Sequence, residues 1–331
     1  MPLPEKVRVS VGSAIVLNLV QGKLSAAPTT VYLLTYRPDK CSANCGFCPQ
    51  AKMSKSRTDL LSRVTWPQFL TELVVSKIER TFQKGKIKRV CIQSLNYTGV
   101  FEDILDLAEQ VTSHAKVPLS ISCQPLSKEQ MQKLAEVGVD RIGIPLDTAT
   151  AELFDKIKGS SVGGPYHWEK QRRALAEAVE IFGKGHVSTH VIVGLGETER
   201  EIIETLQWCF DSGIHPGLFA FTPVLGTALE NRPQPSIGSY RRIQIARHLI
   251  GQQRTRYQNM IFDEKGRLID FGISKEQLWQ TIKSGSPFVT SGCPGCNRPY
   301  YNEKPSGPIY NYPQLLLPEE IKEITEQIYS P

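Results

Sequence analysis

Residues 31–50 read VYLLTYRPDKCSANCGFCPQ, a β-branched apolar run followed by three cysteines. Cys41, Cys45 and Cys48 have the spacing C-x3-C-x2-C. Three thiolates this close in sequence can hold three corners of a four-iron cluster. The fourth iron is then left open to a small molecule, whereas most iron–sulfur electron carriers close the site with a fourth cysteine. An open iron indicates chemistry rather than electron storage.

Zinc binding and disulfide formation are the alternative uses of cysteine. A structural zinc site takes four Cys or His ligands, and no His precedes His114, so a local Cys/His zinc site is disfavoured. Disulfides need an oxidising compartment that is usually reached through a secretory signal. Residues 1–13 contain no apolar signal core, and the apolar run at residues 14–20 is too short to span a membrane. We therefore expect a soluble, cytoplasmic protein whose eight cysteines serve metal binding rather than cross-linking.

The composition is that of a folded protein with one large domain or two ordinary ones. The chain has 331 residues, of which 40% are hydrophobic, and a net charge of +6. The densest basic cluster is either a solvated loop or a surface that docks an acidic carrier protein; it comprises Lys84, Lys86, Lys88 and Arg89. No basic stripe with interleaved aromatic residues is present, so we expect neither nucleic acid nor a membrane as a partner.

After Pro28, strand-like and helix-like segments alternate regularly. The predicted strands are 31–35, 89–93, 119–123, 141–146, 187–193 and 218–222, with weaker candidates at 259–262 and 287–290. The predicted helices are 64–82, 101–113, 127–137, 169–182, 198–211, 239–251 and 275–283. This alternation predicts a parallel sheet with helices packed outside it. Eight such units close into a (β/α)8 TIM barrel of the α/β class.

No linker divides the chain, so we expect one catalytic barrel domain at residues 29–296. Residues 1–28 are predicted to form an N-terminal helical lead-in. Residues 297–331 are predicted to form a C-terminal arm rich in Pro and Tyr that ends in a short helix from Pro318 to Tyr329. In this arrangement Cys41 follows the first barrel strand, at the rim where barrel active sites lie.

The cysteine motif in this position resembles that of the radical S-adenosylmethionine (SAM) enzymes, with Phe47 as the aromatic residue before the last cysteine. The resemblance implies that Cys41, Cys45 and Cys48 are catalytic and hold a [4Fe-4S] cluster whose open iron binds SAM, and that Phe47 lies beside the adenine. It implies that an electron from the cluster cleaves SAM to a 5′-deoxyadenosyl radical, which removes hydrogen from an unactivated carbon. A reductant protein of the ferredoxin or flavodoxin type would supply the electron.

Within that superfamily the chain looks most like the biotin synthase branch. The resemblance covers residues 28–290 and rests on Cys48-Pro49-Gln50, Leu146-Asp147-Thr148, Val193-Gly-Leu-Gly-Glu-Thr198 and Gly226-Thr227. It implies SAM contacts from Asp147, Arg172, Gly194, Gly196 and Glu197. Simpler interpretations stay open: the Gly-Leu-Gly-Glu turn is a tight strand–helix connection, Asp147 caps a helix, and Arg172 is a surface residue.

Two cysteines follow the biotin synthase pattern further. Cys91 and Cys123 end the second and third predicted strands, where biotin synthases hold an auxiliary cluster that supplies sulfur. The alternative is that both are buried free cysteines, which pack as small hydrophobes. The chain departs from the biotin-type site at three other places. Where biotin synthases have a third auxiliary cysteine this chain has Ser188, and where they have a substrate-binding asparagine it has Pro145. Their arginine ligand has no counterpart in residues 259–267 of this chain.

A C-x2-C pair, Cys293-Pro-Gly-Cys296, follows the eighth predicted strand. Alone, such a pair indicates half of a zinc site or a redox pair. Together with the strand cysteines it completes a set of four, so we predict an auxiliary [4Fe-4S] cluster on Cys91, Cys123, Cys293 and Cys296. Ser291 and Arg298 are candidate further contacts, and Cys209, within an amphipathic helix, is predicted to be a packing residue.

A barrel of this kind with a four-cysteine auxiliary site resembles the lipoyl synthases of the two-protein kind. The resemblance implies a sulfurtransferase that attaches sulfur to an octanoyl chain on a small lipoyl carrier protein. The auxiliary cluster would be the sacrificial sulfur source, and a second radical SAM subunit would be a further partner. Tyr-rich segments would then cover the acyl chain, with Tyr300, Tyr301, Tyr310 and Tyr312 as the residues concerned.

Two other interpretations stay open. One is biotin synthase itself or another enzyme of this branch, such as a methylornithine synthase-type mutase. The other is a non-catalytic iron–sulfur scaffold or carrier. A carrier needs no SAM pocket, so the Gly194 turn, Asp147 and the barrel pattern disfavour it.

Overall fold

The structure is a computed structural model, and it describes residues 5–328. Its strands are β1 (Lys6–Val9), β2 (Thr30–Thr35), β3 (Leu60–Leu61), β4 (Val64–Thr65), β5 (Gln68–Leu70), β6 (Arg89–Gln93), β7 (Leu119–Ser122), β8 (Arg141–Gly143), β9 (Val187–Val193), β10 (Ile214–Ala220), β11 (Ile261–Phe262) and β12 (Leu268–Asp270). Its α-helices are α1 (Val11–Val16), α2 (Thr71–Gln83), α3 (Val100–His114), α4 (Lys128–Glu136), α5 (Ala151–Lys158), α6 (Trp168–Phe182), α7 (Glu199–Asp211), α8 (Ile237–Gly251), α9 (Lys275–Lys283) and α10 (Pro318–Ile328). Short 3-10 helices occupy Ser160–Val162, Tyr257–Asn259 and Ser286–Phe288.

A mostly parallel sheet of eight strands organises the molecule. Its strand order is β10-β9-β8-β7-β6-β2-β1-β5. The six strands from β10 to β2 are parallel, while β1 pairs antiparallel with both β2 and β5. Helices connect the parallel strands, as crossover connections require. The predicted α/β, TIM-barrel-like fold is confirmed.

The weaker strand candidate at 287–290 does not join the sheet. The chain forms the 3-10 turn Ser286–Phe288 there, followed by a single bridge between Val289 and Tyr312. Pro287 accounts for the turn, because proline has no backbone N–H to donate to a ladder.

The candidate at 259–262 contributes only β11, which pairs with β12 in a separate hairpin. The Asp263 carboxylate accepts hydrogen bonds from the backbone N–H groups of Lys265 and Arg267, and this turns the chain directly after β11. The parallel run therefore stops after six strands.

The N-terminal segment is not the helix predicted for residues 1–28. Lys6–Val9 is a strand that pairs with β2, because its alternating Lys-Val-Arg-Val sequence buries Val7 and Val9. A helix of six residues, α1, follows after the cap residue Ser10. At the other end α10 confirms the predicted terminal helix; residues 1–4 and Tyr329 lie outside the described residues.

Helix starts are encoded locally at several crossovers. Three helices begin with a reciprocal capping box, in which a Ser or Thr side chain and a Gln or Glu side chain exchange hydrogen bonds with the first-turn backbone. These pairs are Ser127/Gln130 in α4, Thr198/Glu201 in α7 and Ser274/Gln277 in α9.

Side-chain alternation divides each parallel strand between two environments. The outward set packs with the helices in the main hydrophobic core and comprises Val31, Leu33, Val90, Ile92, Leu119 and Ile121. The inward set lines an internal cavity. Strand register aligns three of its members, because Tyr32 is opposite Cys91 and Cys91 is opposite Ser120.

The C-terminal part of the chain is fastened to this core by buried ion pairing. Glu199 and Arg242 form a salt bridge of 2.6 Å, with their side chains 7% and 5% exposed. Glu199 also accepts a hydrogen bond from the Leu268 backbone, and Arg242 donates one to the Ile328 carbonyl. A buried pair that satisfies further backbone groups fixes geometry, because removing either partner leaves an uncompensated charge. No helix among residues 5–328 is long and apolar enough to cross a membrane.

Gly226 packs against the loop that follows β2, and this contact can be tested. A Cβ at Gly226 would lie 2.5 Å from the Ser56 backbone nitrogen, whereas a Cβ at Gly163 would meet nothing within 4 Å. Both glycines have positive φ, +85° and +70°. Gly163→Ala therefore carries only the left-handed cost of about 1–2 kcal/mol, and Gly226→Ala carries that cost plus the clash.

We expect urea unfolding to show a larger loss of unfolding free energy for Gly226→Ala than for Gly163→Ala. Limited proteolysis should cut the loop at residues 50–58 faster in Gly226→Ala alone. Equal losses and equal cleavage rates would contradict the packing described here.

Candidate active site

One cavity of about 240 Å³ lies against the inward face of the sheet, and its lining includes two groups of three cysteines together with Cys123. The rim cysteines are Cys41, Cys45 and Cys48, in the loop after β2. The basal cysteines are Cys91, Cys293 and Cys296. The two groups therefore share one internal space.

Backbone hydrogen bonds shape the loop of the rim cysteines. Cys41 N–H donates to the Gln50 carbonyl at 2.9 Å, and Cys48 N–H donates to the Cys45 carbonyl at 3.0 Å. The Cys41 Sγ accepts from the Asn96 N–H at 3.1 Å. These three hydrogen bonds fix the backbone of the loop and the position of the Cys41 sulfur.

The loop is also held from its far side. Gly46 N–H donates to the Ile157 carbonyl at 2.7 Å, and Gly46 accepts from Leu229 N–H at 3.1 Å. Phe47 packs in a small apolar cluster with Ile157 and Phe221 at the cavity wall. The structure thus places Phe47 beside the rim cysteines, where an aromatic ring can contact a ligand.

Asp147 lies in the cavity wall with an unusual backbone and a buried partner. Its φ is +69°, which is uncommon for a residue other than glycine. Its carboxylate accepts a hydrogen bond from Lys158 Nζ at 2.7 Å, and the Lys158 side chain is fully buried. The Lys158 ammonium also lies 5.0 Å from the Tyr166 ring centroid, a cation–π contact. Asp147 is therefore oriented by a buried ion pair.

Lys158 is a site residue that sequence reasoning missed. Burial raises the pKa of the Cys45 thiol to about 12, and the nearby Lys158 charge acts in the opposite direction. The lysine thus favours the thiolate form of a rim cysteine. Its sequence context, two residues after Lys156 in the last turn of α5, is that of an ordinary helix end, so no sequence signal distinguished it.

The Gly-Leu-Gly-Glu turn is held by hydrogen bonds between its own residues. Glu197 accepts hydrogen bonds from Gly194 N–H at 2.6 Å and Leu195 N–H at 3.0 Å. Burial raises the pKa of the Glu197 carboxyl, although these backbone hydrogen bonds act in the opposite direction. Gly194, Gly196 and Glu197 line a second cavity of about 580 Å³ near Arg232, and not the cavity that holds the cysteines.

The structure does not bring Arg172 to either cavity. Its guanidinium stacks on the Trp208 ring, 4.2 Å from the centroid, on the outer side of α6. The preceding residue, Gln171, is fully buried and donates to the Pro145 carbonyl at 2.7 Å. One position along a helix rotates a side chain by about 100°, so Gln171 and Arg172 point in different directions, and the SAM contact of Arg172 stays a prediction.

The basal cysteines converge from distant parts of the chain. Tyr32 Oη lies 3.0 Å from Cys296 Sγ, and Ser120 Oγ donates to Cys293 Sγ at 3.6 Å. Because register aligns Tyr32, Cys91 and Ser120, these two contacts bring the C-x2-C pair over Cys91.

The C-x2-C loop sits at the end of the sheet where the parallel strands begin. Thr29, the residue before β2, donates to the Gly295 carbonyl at 2.5 Å and to Asn297 Oδ1 at 2.9 Å. Asn297 in turn donates to the Ala27 carbonyl at 2.9 Å. The rim cysteines follow the end of β2, so the two groups lie at opposite ends of the strands.

Cys123 is not brought to the basal cysteines. It shares the outward parity of Leu119 and Ile121, is 3% exposed, and packs in the main hydrophobic core. Burial alone raises the pKa of its thiol to about 12, with no contribution from another cysteine. The structure thus groups three of the four predicted cysteines, while Cys123 lines the same cavity apart from them, and the four-cysteine cluster stays a prediction. Cys209 is fully buried in the same core, as predicted.

Ser291 and Arg298 fasten the segment after the sheet. Leu218 N–H donates to Ser291 Oγ at 2.8 Å, and Arg298 donates to the Leu218 carbonyl at 3.0 Å. The backbone N–H and C=O groups of Leu218, on the edge strand β10, therefore both have hydrogen-bond partners. Arg298 also stacks on Phe219, 3.7 Å from its centroid, and lines the cavity near the basal cysteines.

A further inward residue, His190 on β9, faces the cavity. Its ring lies 4.8 Å from that of Phe219, and burial lowers its pKa to about 4, so it is neutral near pH 7. Tyr301 packs edge-on to Phe219 at 5.9 Å. The alternation of residues 187–193 could have identified His190, since Ser188 and Ile192 share its parity.

Of the four tyrosines predicted to cover a substrate, only Tyr301 lines the cavity. Tyr310 and Tyr312 are buried in the cores beside α8, and Tyr300 accepts a hydrogen bond from Arg63 through its backbone carbonyl. The arm after the sheet therefore packs on the barrel rather than lying free over it.

The donor sets fit iron–sulfur clusters better than single ions. Among residues 5–328, no three His, Cys, Asp or Glu side chains are grouped as ligands to one metal ion. A four-iron cluster binds its thiolates at separate irons, so they stand farther apart. Burial raises the pKa of Cys48 and Cys91, and neighbouring cysteines raise both further. Grouped thiolates here need a compensating cation, which coordinated metal supplies.

Comparison with known proteins agrees with this site. The radical SAM superfamily profile matches residues 36–209, more than half of the chain and including the rim cysteines. A biotin synthase of Synechococcus elongatus is 27% identical over 232 residues, 68% of this chain and 68% of that protein. A biotin synthase of Clostridium acetobutylicum is 24% identical over 230 residues, 68% of this chain and 66% of that protein.

Among solved structures, methylornithine synthase superposes with a TM-score of 0.53 at 16% identity, covering 72% of this chain and 66% of that chain, which shows a shared fold. The profile match, the parallel sheet and the cysteine loop after its first parallel strand lead to one conclusion. This chain belongs to the radical SAM superfamily, whose enzymes use a [4Fe-4S] cluster and SAM.

Proposed function

We propose that this enzyme is a sulfurtransferase that inserts sulfur at an unactivated carbon of a protein-bound octanoyl chain, as in lipoyl cofactor formation. One observation carries the proposal: a second group of three cysteines faces the rim cysteines across the same cavity. A radical enzyme that only rearranges its substrate has no need of a second thiolate group there.

The basal cysteines are proposed to hold an auxiliary [4Fe-4S] cluster. When bound, such a cluster supplies the sulfide that the carbon radical takes up. The chain's own groups prepare the place for it. Arg89, 5% exposed, donates to Ser120 Oγ at 2.7 Å, and Ser120 donates to Cys293 Sγ. A buried cation acting through a hydroxyl stabilises negative charge on that sulfur.

The cavity wall suits an aliphatic chain. Between the two cysteine groups the wall includes Leu34, Phe219 and Tyr301, and His190 is held neutral. This wall is mostly apolar, with the Arg298 guanidinium stacked on Phe219, and it binds methylene groups through the hydrophobic effect. The octanoylated lipoyl carrier protein, a ferredoxin- or flavodoxin-type reductant and a second radical SAM subunit are the partners that this function requires.

Biotin synthase is the second candidate, and the 27% identity to the Synechococcus elongatus protein favours it. The resemblance to that branch puts a third auxiliary cysteine at the position of Ser188. Here Ser188 aligns with Gly143 on β8, and a Cβ at Gly143 would lie 2.9 Å from Ser188 Oγ. That part of the cavity wall presents a hydroxyl and no thiol, so the octanoyl proposal is preferred.

Metal content tests which cysteines belong to the second site. After anaerobic reconstitution we expect about eight irons per wild-type chain, and about four in Cys91→Ala or Cys293→Ala, since each site takes a four-iron cluster. Cys123→Ala is the matched control and should keep the wild-type iron content, because the Cys123 thiol packs in the main hydrophobic core, apart from the basal cysteines. Iron and acid-labile sulfide are measured on the folded monomer fraction.

An unchanged iron content in the Cys91 and Cys293 variants would show that these cysteines do not hold a second cluster. A loss in Cys123→Ala equal to theirs would return Cys123 to the ligand set and contradict the orientation described above.

Product analysis tests the substrate. With SAM and reductant under anaerobic conditions, we expect thiolated product from a peptide bearing octanoyl-lysine and none from dethiobiotin. Formation of 5′-deoxyadenosine and methionine measures SAM cleavage independently, and mass spectrometry detects sulfur addition. Thiolated dethiobiotin would establish the biotin synthase alternative, and absence of SAM cleavage by the fully loaded protein would favour a scaffold.

A further inference from the structure

Two buried hydroxyl groups stand beside the C-x2-C pair, one for each of its sulfurs. Tyr32 Oη lies 3.0 Å from Cys296 Sγ, and Ser120 Oγ donates to Cys293 Sγ at 3.6 Å. Both residues that carry these hydroxyls are buried. We call Tyr32 and Ser120 the hydroxyl pair.

Strand pairing fixes where the hydroxyl pair stands. Tyr32 is on β2 and Ser120 is on β7, the two strands that neighbour β6, and the register places both residues opposite Cys91. All three side chains line the cavity. The hydroxyl pair therefore flanks Cys91 and reaches the sulfurs of the C-x2-C loop from strands on opposite sides of β6.

The hydrogen-bond roles of the two hydroxyls follow from their neighbours. Arg89 donates to Ser120 Oγ at 2.7 Å, so the single Ser120 hydrogen is left for Cys293. The Tyr32 hydroxyl also has one hydrogen, and a thiolate sulfur can only accept. When the basal cysteines are thiolates, each hydroxyl of the pair therefore donates to one sulfur.

The rim cysteines have donors of a different kind. Among residues 5–328, the groups that donate to their sulfurs are backbone N–H groups, from Ala43 and Asn96 to Cys41 at 3.5 and 3.1 Å. A backbone donor comes with the fold of the loop, whereas a side-chain hydroxyl can be removed by one substitution. The contribution of the hydroxyl pair can therefore be measured separately.

We infer that the hydroxyl pair raises the reduction potential of the basal cluster, so that the cluster accepts an electron readily when it gives up sulfide. The inference rests on the proposed function, because that function places the cluster on Cys91, Cys293 and Cys296. A hydrogen bond to a thiolate disperses its negative charge, and this favours the more negative, reduced state of the cluster. Tyr32 and Ser120 act through the sulfurs and are positioning residues.

The reduction potential matters because sulfur transfer leaves one electron on the cluster. The carbon radical brings one electron and a sulfide lone pair brings two. The new carbon–sulfur bond holds two of the three, so the third passes to one iron, which changes from ferric to ferrous. No proton moves and no other bond breaks in this step. A higher reduction potential therefore makes the transfer more favourable.

Redox titration of matched variants tests the inference. Tyr32→Phe and Ser120→Ala each remove one hydroxyl of the pair. Their controls are Tyr97→Phe, which removes a hydroxyl that donates to Asp103 at 2.6 Å, and Ser122→Ala, on the same face of β7 as Ser120. All variants are made in a full-length chain whose rim cysteines are replaced by alanine, so that electron paramagnetic resonance reports the basal cluster alone.

At a fixed ambient potential, we expect the ratio of reduced to oxidised basal cluster to fall about tenfold in the Tyr32→Phe/Ser120→Ala double variant. For a one-electron couple this is a shift of about 59 mV towards negative potential. Each single variant should give part of the shift, and both controls should match the parent chain. In heavy water, the iron–thiolate stretching bands of the resonance Raman spectrum should move in the parent chain and less in the double variant. Iron content should stay at about four per chain throughout.

An unchanged potential in a double variant that keeps its iron would overturn the inference, and so would equal shifts in the controls. Loss of iron from both single variants would assign the hydroxyls to assembly of the site and would overturn it as well.

Failure of the proposed function gives a different result. A wild-type chain that takes up only one cluster lacks the basal site, and the inference falls with it. A wild-type chain with two clusters and no thiolated product lacks the proposed activity, while the shift in potential remains measurable and supports the role of the hydroxyl pair.

Discussion

Side-chain alternation on the parallel strands is the constraint on which this site depends. The period of two residues sends Val90 and Ile92 into the helix-packed core and Cys91 into the cavity. Register then aligns Cys91 with Tyr32 and Ser120, whose hydroxyls lie within hydrogen-bond reach of the C-x2-C sulfurs. A slip of one residue in β6 would bury the thiol in the core and turn isoleucine and valine towards the cavity. The chemistry at the basal end is thus set by strand pairing as much as by the cysteines.

The same constraint separates what could be predicted from what could not. Local signals identified the rim cysteines and the six strands that proved to be parallel, because each depends on short spacing or on strand–helix alternation. The prediction for Asp147 came from the family resemblance. Cys123 was assigned by analogy of position, yet its parity with Leu119 and Ile121 already indicates the core. Lys158 carries no local signal, since its role arises from a salt bridge to Asp147 formed only in the folded chain. Pro287 was sufficient to exclude a regular strand at 287–290.

The buried charged residues are arranged differently at the two ends of the cavity. At the rim, Lys158 is fully buried and compensates Asp147, so the wall is neutral overall while a cation remains near Cys45. At the base, Arg89 performs the corresponding role through Ser120 and is itself compensated by Asp140. Each cysteine group thus has a buried cation paired with a carboxylate nearby, and the basal group also has Arg298 close to Cys91. Between them His190 is neutral, and the Arg298 guanidinium is stacked on Phe219 at the cavity wall.

The separation of the basal ligands along the chain has a consequence for biosynthesis. The rim cysteines span eight residues and follow the first parallel strand, so their loop can take shape early during translation. Tyr32 and Cys296, which meet at the basal site, are 264 residues apart in the sequence. That site cannot exist until almost the whole polypeptide has left the ribosome. Maturation therefore has an inherent order, in which a truncated or stalled chain could form the loop of the rim cysteines while the basal group is still incomplete.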